Sequence, residues 1–206
     1  VRAAGSYSLR AAVTQNGRPL RLTLVTTGPT SLEMGYGEGS SFARVIEFAR
    51  AFYVNGNDAF WRPHLGARAP LAAGRWFQVP PSAMRKAISD LGHLGPSTLS
   101  RCIVEDHGTL RVVGMTTVDG QRAILIKDAG NVAGSTPSEF AVAAAGTPYP
   151  LRATALGRSR AGGPIDACND GKASTSLGTI TFSEFGRVPP IQPPAVIANP
   201  GAVPAG

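Results

Sequence analysis

Charge is scarce in this chain. Asp, Glu, Lys and Arg together make up 16 % of its 206 residues, against about 25 % in an ordinary globular domain. The charge that is present leans positive, to a net +7, and 17 of the 20 basic residues are Arg. Those arginines are dispersed, with no dense run and no recognition helix, which argues against a nucleic-acid partner. Arg-rich coding explains them first, and attraction to an anionic phospholipid surface is the functional reading beside it. Apolar runs are short as well. None approaches the ~20 residues that a membrane-crossing helix needs.

Cysteine is nearly absent. Cys102 and Cys168 are the two, far apart, and neither sits in a CxxC or beside a His at metal spacing. A single pair suggests a disulfide formed in an oxidising compartment. Closing so long a loop would contribute about 4 kcal/mol on chain entropy. Two unrelated buried thiols are the alternative, and the polar surroundings of Cys168, PIDACNDGKAS, tip the reading to the disulfide. The first residue is Val1, without Met or signal segment, which fits a processed secreted chain.

Catalytic patterns are missing too. His64, His93 and His107 show no HExxH or HxH spacing, so no metal site is expected. Cys102 and His107 lie five apart with no third orienting group. There is no GxSxG elbow. The run Gly35-Tyr36-Gly37-Glu38-Gly39 follows a strand but does not open a helix, so it reads as a turn rather than a phosphate loop. Carboxylates are few and unclustered, with Glu105-Asp106 next to a turn. These absences give a non-enzyme without cofactor.

What is present is turn chemistry and alternation. Gly numbers 25 and Pro 17, with 43 % hydrophobic residues, the composition of a globular chain with many short strands. Tyr7, Leu9, Ala11 and Val13 alternate with polar or small neighbours, as a half-buried strand does. Gln15-Asn16-Gly17-Arg18 is a hairpin turn, and Leu20, Leu22 and Leu24 return. Leu32, Met34 and Tyr36 make a third strand. Phe42, Ile46 and Phe48 make a fourth, with Arg44 the one charge on that face. A fifth covers 51–54. Asp58 then reads as the N-cap of a short helix whose first apolar residues are Phe60 and Trp61, and Trp76 to Val79 as an extended piece stopped by Pro80-Pro81. Met84, Ala87, Ile88 and Leu91 fall at helical spacing over 82–91. Strands resume over 109–117, 122–127, 139–145, 149–156 and 179–185. From Val188 the chain is Pro-, Ala- and Val-rich, extended or disordered.

The expected architecture is α+β: an antiparallel meander of about nine to eleven strands with a helical insert near 58–102. So large a sheet with one apolar face must curl, and the insert is the available cover. Residues 1–190 form one domain and 191–206 a Pro/Ala-rich tail.

The series YVNGNDAFW, LAAGRWFQVP, GTLRVVGMTTVDGQRAILIKD, FAVAAAGTPYPLR and GTITFSEFG, in that order, resembles the LolA-like superfamily of envelope lipoproteins, in particular its LppX/LprAFG-type branch. The resemblance spans residues 6–190. It implies a β half-barrel closed by helices over an apolar cavity, holding a lipid, glycolipid or acyl chain. It also implies an extracytoplasmic place in the cell envelope, membrane contact, a possible envelope transport partner, and a lipidated N-terminal Cys that this chain lacks. The cysteine pair and the loop 157–176 are not part of that pattern. On this reading Leu22, Leu24, Met34, Ile46, Phe48, Tyr53, Leu110, Phe140, Val142 and Phe182 line the cavity. Phe60, Trp61, Trp76, Met84, Ile88 and Leu91 form the lid, and Arg44 or Arg62 meets an anionic headgroup. The rival is an envelope sensor or scaffold of the same fold that docks a protein partner on a filled core.

Overall fold

The computed structural model describes residues 4–15, 17–28, 31–82, 107–163, 172–173 and 177–198. The alternating segments become strands: β1 (Ser6–Gln15), β2 (Arg18–Thr27), β3 (Ser31–Glu38), β4 (Ser41–Phe48) and β5 (Ala51–Gly56). Next come the helix α1 (Asp58–Leu65), a 3-10 turn (Gly66–Arg68), the short helix α2 (Ala69–Ala72) and β6 (Trp76–Val79). After residues 83–106, β7 (Leu110–Val118), β8 (Gln121–Asp128), β9 (Ser138–Ala143), β10 (Pro150–Ala155) and β11 (Leu177–Ser183) complete the series. Among the described residues there are eleven strands, within the expected nine to eleven. The lid residues Met84, Ile88 and Leu91, and the pair Cys102 and Cys168, lie outside the described residues.

All pairings are antiparallel and form one open sheet in the order β6-β5-β4-β3-β2-β1-β11-β10-β9-β8-β7. It is an α+β fold: a curled antiparallel sheet with a helical insert. Two meanders grow outward from the β1–β11 pair, so β6 and β7 are the two edges. Hairpin chemistry sets the joints. Asp119 and Gly120, at φ 47° and 80°, make the tight turn from β7 to β8 that the sequence predicts.

Register partners share a face, because side chains alternate along each strand. Leu9, Leu24, Met34, Val45, Val54 and Phe77 therefore form one row across six strands. All are buried, and all but Phe77 make the main core with Tyr7, Ala11, Phe52 and Phe182. Phe60 and Trp61 of α1 pack onto it, so this is the helix-covered face.

The opposite face is also covered near β4 and β5. Ile46 and Tyr53 cluster there with Ile191, beside Val25, Phe48, Ala51 and Trp76. Ile191 belongs to the segment that follows β11. Gly186 N–H donates to the Ser6 carbonyl at 2.9 Å, and Ala198 N–H donates to the Trp76 carbonyl at 2.8 Å. Those anchors stand five strand steps apart, about 24 Å at ~4.8 Å per step. Twelve residues extend to about 40 Å, enough to strap the outer face.

Candidate functional site

The site is organised around α1. Its N-cap is Asn57, one residue before the sequence expectation. Asn57 Oδ1 accepts from Phe60 N–H at 3.0 Å and from Phe42 N–H at 3.1 Å, while its amide donates to the Ser40 carbonyl at 2.7 Å. Asp58 is instead the first helical residue, and its Oδ2 pairs with Arg62 one turn on. An Asn fits the cap better here because it both accepts and donates, tying the helix to the β3–β4 turn.

Gly56 explains how the helix sits so close. A Cβ there would fall 2.2 Å from the Phe60 ring, so only Gly lets Phe60 lie on β5. Phe60 meets Trp61 edge-on at 4.9 Å, and Trp61 meets Phe77 edge-on at 5.5 Å. The helix ends at Gly66, whose N–H reaches the Arg62 carbonyl.

The structure divides the sequence-predicted lining. Leu22, Leu24, Met34 and Phe182 lie together on the helix-covered face with Phe60 and Trp61. Phe140, Val142 and Leu110 lie on the same face by register, further out. Ile46, Phe48, Tyr53 and Trp76 lie on the outer face under the strap. They cannot share a lining with the first group. Period-two alternation identifies a face only when the other face is wet. In β4 and β5 both are covered, so Val45 and Ile46 are each 5 % exposed. Arg44 follows Ile46 outward, where it pairs with Glu33 and stands 5.4 Å over Trp76.

Tyr7, Leu9, Val45, Val54, Phe77, Val112 and Met115 belong to the helix-covered face and were not singled out by the sequence reading. Val112 alternates in step with Leu110, which is the signal that could have found it, whereas Val45, Val54 and Phe77 alternate out of step with Ile46, Tyr53 and Trp76 and carry no such signal within their own strands.

One row shows what this face can do. It runs Gly56, Ala43, Tyr36, Leu22, Ala11, Ile180, Ala153, Phe140, Ile126, Val112. Ala43 is 2 % exposed at one end and Val112 66 % at the other. Beside Val112 stand Leu110 and Met115, 45 % and 53 % exposed, and Met115 is in register with Ile124 and Val142. Among the described residues, the face stays apolar beyond the part that α1 covers.

The edge strand that carries this patch is held firmly. Asp128 is 1 % exposed and accepts from Gly108 N–H at 3.0 Å and Gly130 N–H at 2.8 Å. Asn131 Oδ1 accepts from Thr109 N–H at 2.8 Å. These bonds clamp the start of β7 to the loop after β8, so the exposed apolar residues stand on an ordered strand. Among the described residues no group of His, Cys, Asp or Glu could hold a metal ion.

Burial pushes the Tyr7 hydroxyl well above the usual phenol range, and desolvation raises the Glu47 carboxyl. Glu47 lies on the helix-covered face, in register with Leu32 and Phe52.

No family model and no curated relative matches the chain. Among solved structures it is similar to the lipoprotein LppX of Mycobacterium tuberculosis, at 10 % identity over 91 % of this chain and 90 % of that one, with a TM-score of 0.48. It is similar to LprF from Mycobacterium bovis, at 12 % identity over 97 % and 91 %, with a TM-score of 0.49. A putative outer membrane lipoprotein-sorting protein domain from Vibrio parahaemolyticus matches at 10 % identity over 87 % and 84 %, with a TM-score of 0.26. LppX and LprF are of the branch that the sequence resembles. At these values they assign no residue a role.

Proposed function

We propose that this chain holds the acyl portion of a lipid or glycolipid against the helix-covered face, as a non-catalytic carrier or presenter in the extracytoplasmic cell envelope. The observation that carries the reading is the apolar row that continues over β9, β8 and β7, where Leu110, Val112 and Met115 are exposed and no other described element covers them. Exposed contiguous apolar surface on an ordered sheet marks an interaction site. An acyl chain is the occupant that needs least chemistry. Roughly ten buried methylenes at about 0.8 kcal/mol each reach micromolar affinity with no polar contact. The lining is then Leu22, Leu24, Met34, Phe140, Val142 and Phe182, with Val112 and Met115 at the open end and Phe60 and Trp61 as cover. Native mass spectrometry after gentle purification tests it, with uptake of fluorescent fatty acids and phospholipids. A ligand-free protein that takes up neither sinks the reading.

A second reading, a scaffold that docks a protein partner, is favoured by one feature. Among the described residues β7 is a nine-residue edge strand with one unpaired side, and an open edge can accept a partner strand. It predicts partner binding that is unchanged when lipid is loaded.

A further inference from the structure

Two buried side-chain atoms of α1 have no hydrogen-bond partner: Asp58 Oδ1 and Trp61 Nε1. One is an acceptor and the other a donor. They stand three residues apart, which places them on one side of the helix with Cβ atoms about 5–6 Å apart. Buried polar atoms are normally satisfied, so two complementary orphans on one turn describe a missing group. The backbone end of the helix is not the vacancy, because Asn57 already takes the Phe60 N–H.

We propose that this turn holds a hydroxyl of the bound amphiphile, accepting from the Trp61 indole and donating to the free oxygen of Asp58. The proposal rests on the lipid-binding reading and specifies the ligand. A hydroxyl has one donor hydrogen and two acceptor lone pairs, so it satisfies both orphans at once. A phosphate or carboxylate would accept from Trp61 but meet the Asp58 charge with its own. An ester carbonyl accepts only and leaves Asp58 unmet. An ammonium donates only and leaves the indole unmet. Arg62 Nε, 3.1 Å from Asp58 Oδ2, holds the carboxylate in place. The Trp61 ring is wedged edge-on against Phe60 and Phe77 and packs against the main apolar cluster, so the indole is held in one position. The favoured cargo is a neutral, hydroxyl-bearing amphiphile. Its hydroxyl belongs either to a glycerol or sugar headgroup or to a hydroxylated acyl chain.

The full chain tests this with matched probes: 1-monopalmitoylglycerol against methyl palmitate for a headgroup hydroxyl, and methyl 12-hydroxystearate against methyl stearate for a chain hydroxyl. In at least one pair the hydroxylated probe should bind about tenfold more tightly, as a hydrogen bond to a charged group provides. With ¹⁵N-indole labelling, the Trp61 N–H signal should move with that probe and not with its partner, while Trp76 serves as the internal control. In Trp61→Phe, which keeps an aromatic ring without the donor, the ratio should fall to within about twofold. Equal affinities in both pairs for the unaltered protein overturn the hydroxyl subsite and leave lipid binding intact. Preference surviving in a folded Trp61→Phe protein, or a Trp61 signal that ignores the hydroxyl, also overturns it. Failure of all four probes to bind overturns the lipid reading and this one together.

Discussion

The two wings of the sheet use the same alternating pattern for different ends. From β1 to β6 the helix-covered face is closed by Phe60 and Trp61, and Leu9, Leu24, Val45 and Val54 are all at most 5 % exposed. From β9 to β7 the same face carries Phe140, Ile126 and Val112 in unbroken register, yet Val112 is 66 % exposed. Burial contributes stability only where a cover exists. The first wing therefore buries this face, whereas the second wing buries a separate cluster of Val118, Ala123, Ala141, Ala143 and Leu151 and leaves Val112 on this face as exposed apolar surface. Rigidity does not follow burial here, since Asp128 and Asn131 fix the exposed wing with polar bonds.

The largest expected break in that contrast is Leu9→Ala. Leu9 is 1 % exposed in the centre of the main cluster, so truncation should cost about 3 kcal/mol, read as a lowered urea midpoint. A loss under about 1 kcal/mol would show that the helix-covered face of the first wing is not a main source of stability. Ile191→Ala comes next. It empties the contact between strap and outer face, where Ile191 is 8 % exposed, and should cost about 2 kcal/mol by the same measurement. No change would mean that the strap lies on the sheet without holding it.

Val112→Asp sharpens the contrast from the other side. On an exposed strand position it should change stability by about 0.5 kcal/mol or less. It should weaken acyl-probe binding about tenfold, because a charge enters the apolar row. A large stability loss with binding intact would reverse the roles assigned to the wings.

The sequence made the strands and turns legible where one face is wet. Tyr7 to Val13 and the Asp119-Gly120 turn are such places, because alternation and φ > 0 residues are local properties. It failed to separate the faces of β4 and β5. There Ile191, more than 130 residues downstream, covers the side that would otherwise have been polar. The helix cap slipped by one residue for a related reason. Asn57 and Asp58 both have capping chemistry, and the choice turns on Ser40 and Phe42, which only the folded hairpin brings near. The unmatched atoms of Asp58 and Trp61 have no sequence signature at all, because burial without a partner is a property of packing.

The smallest expected effect concerns a half-buried acid on the covered wing. Glu47 sits between Leu32 and Phe52, and desolvation raises its pKa above the ordinary 4.5. The folded chain therefore keeps this proton to higher pH than the unfolded chain does. Its contribution to stability is fully present below the unfolded value and is lost as pH rises through the folded one. Glu47→Gln removes the charge while keeping the shape. It should raise the melting temperature slightly at neutral pH and leave it unchanged well below the carboxylate range. Glu38 behaves oppositely, since the Tyr36 hydroxyl and then Arg18 hold its pKa down, so its contribution appears only as pH rises. Melting curves at several pH values separate the two. If Glu47→Gln lowered the melting temperature at neutral pH, the Glu47 carboxylate would have a partner in solution, and the covered wing would be less apolar than its buried row implies.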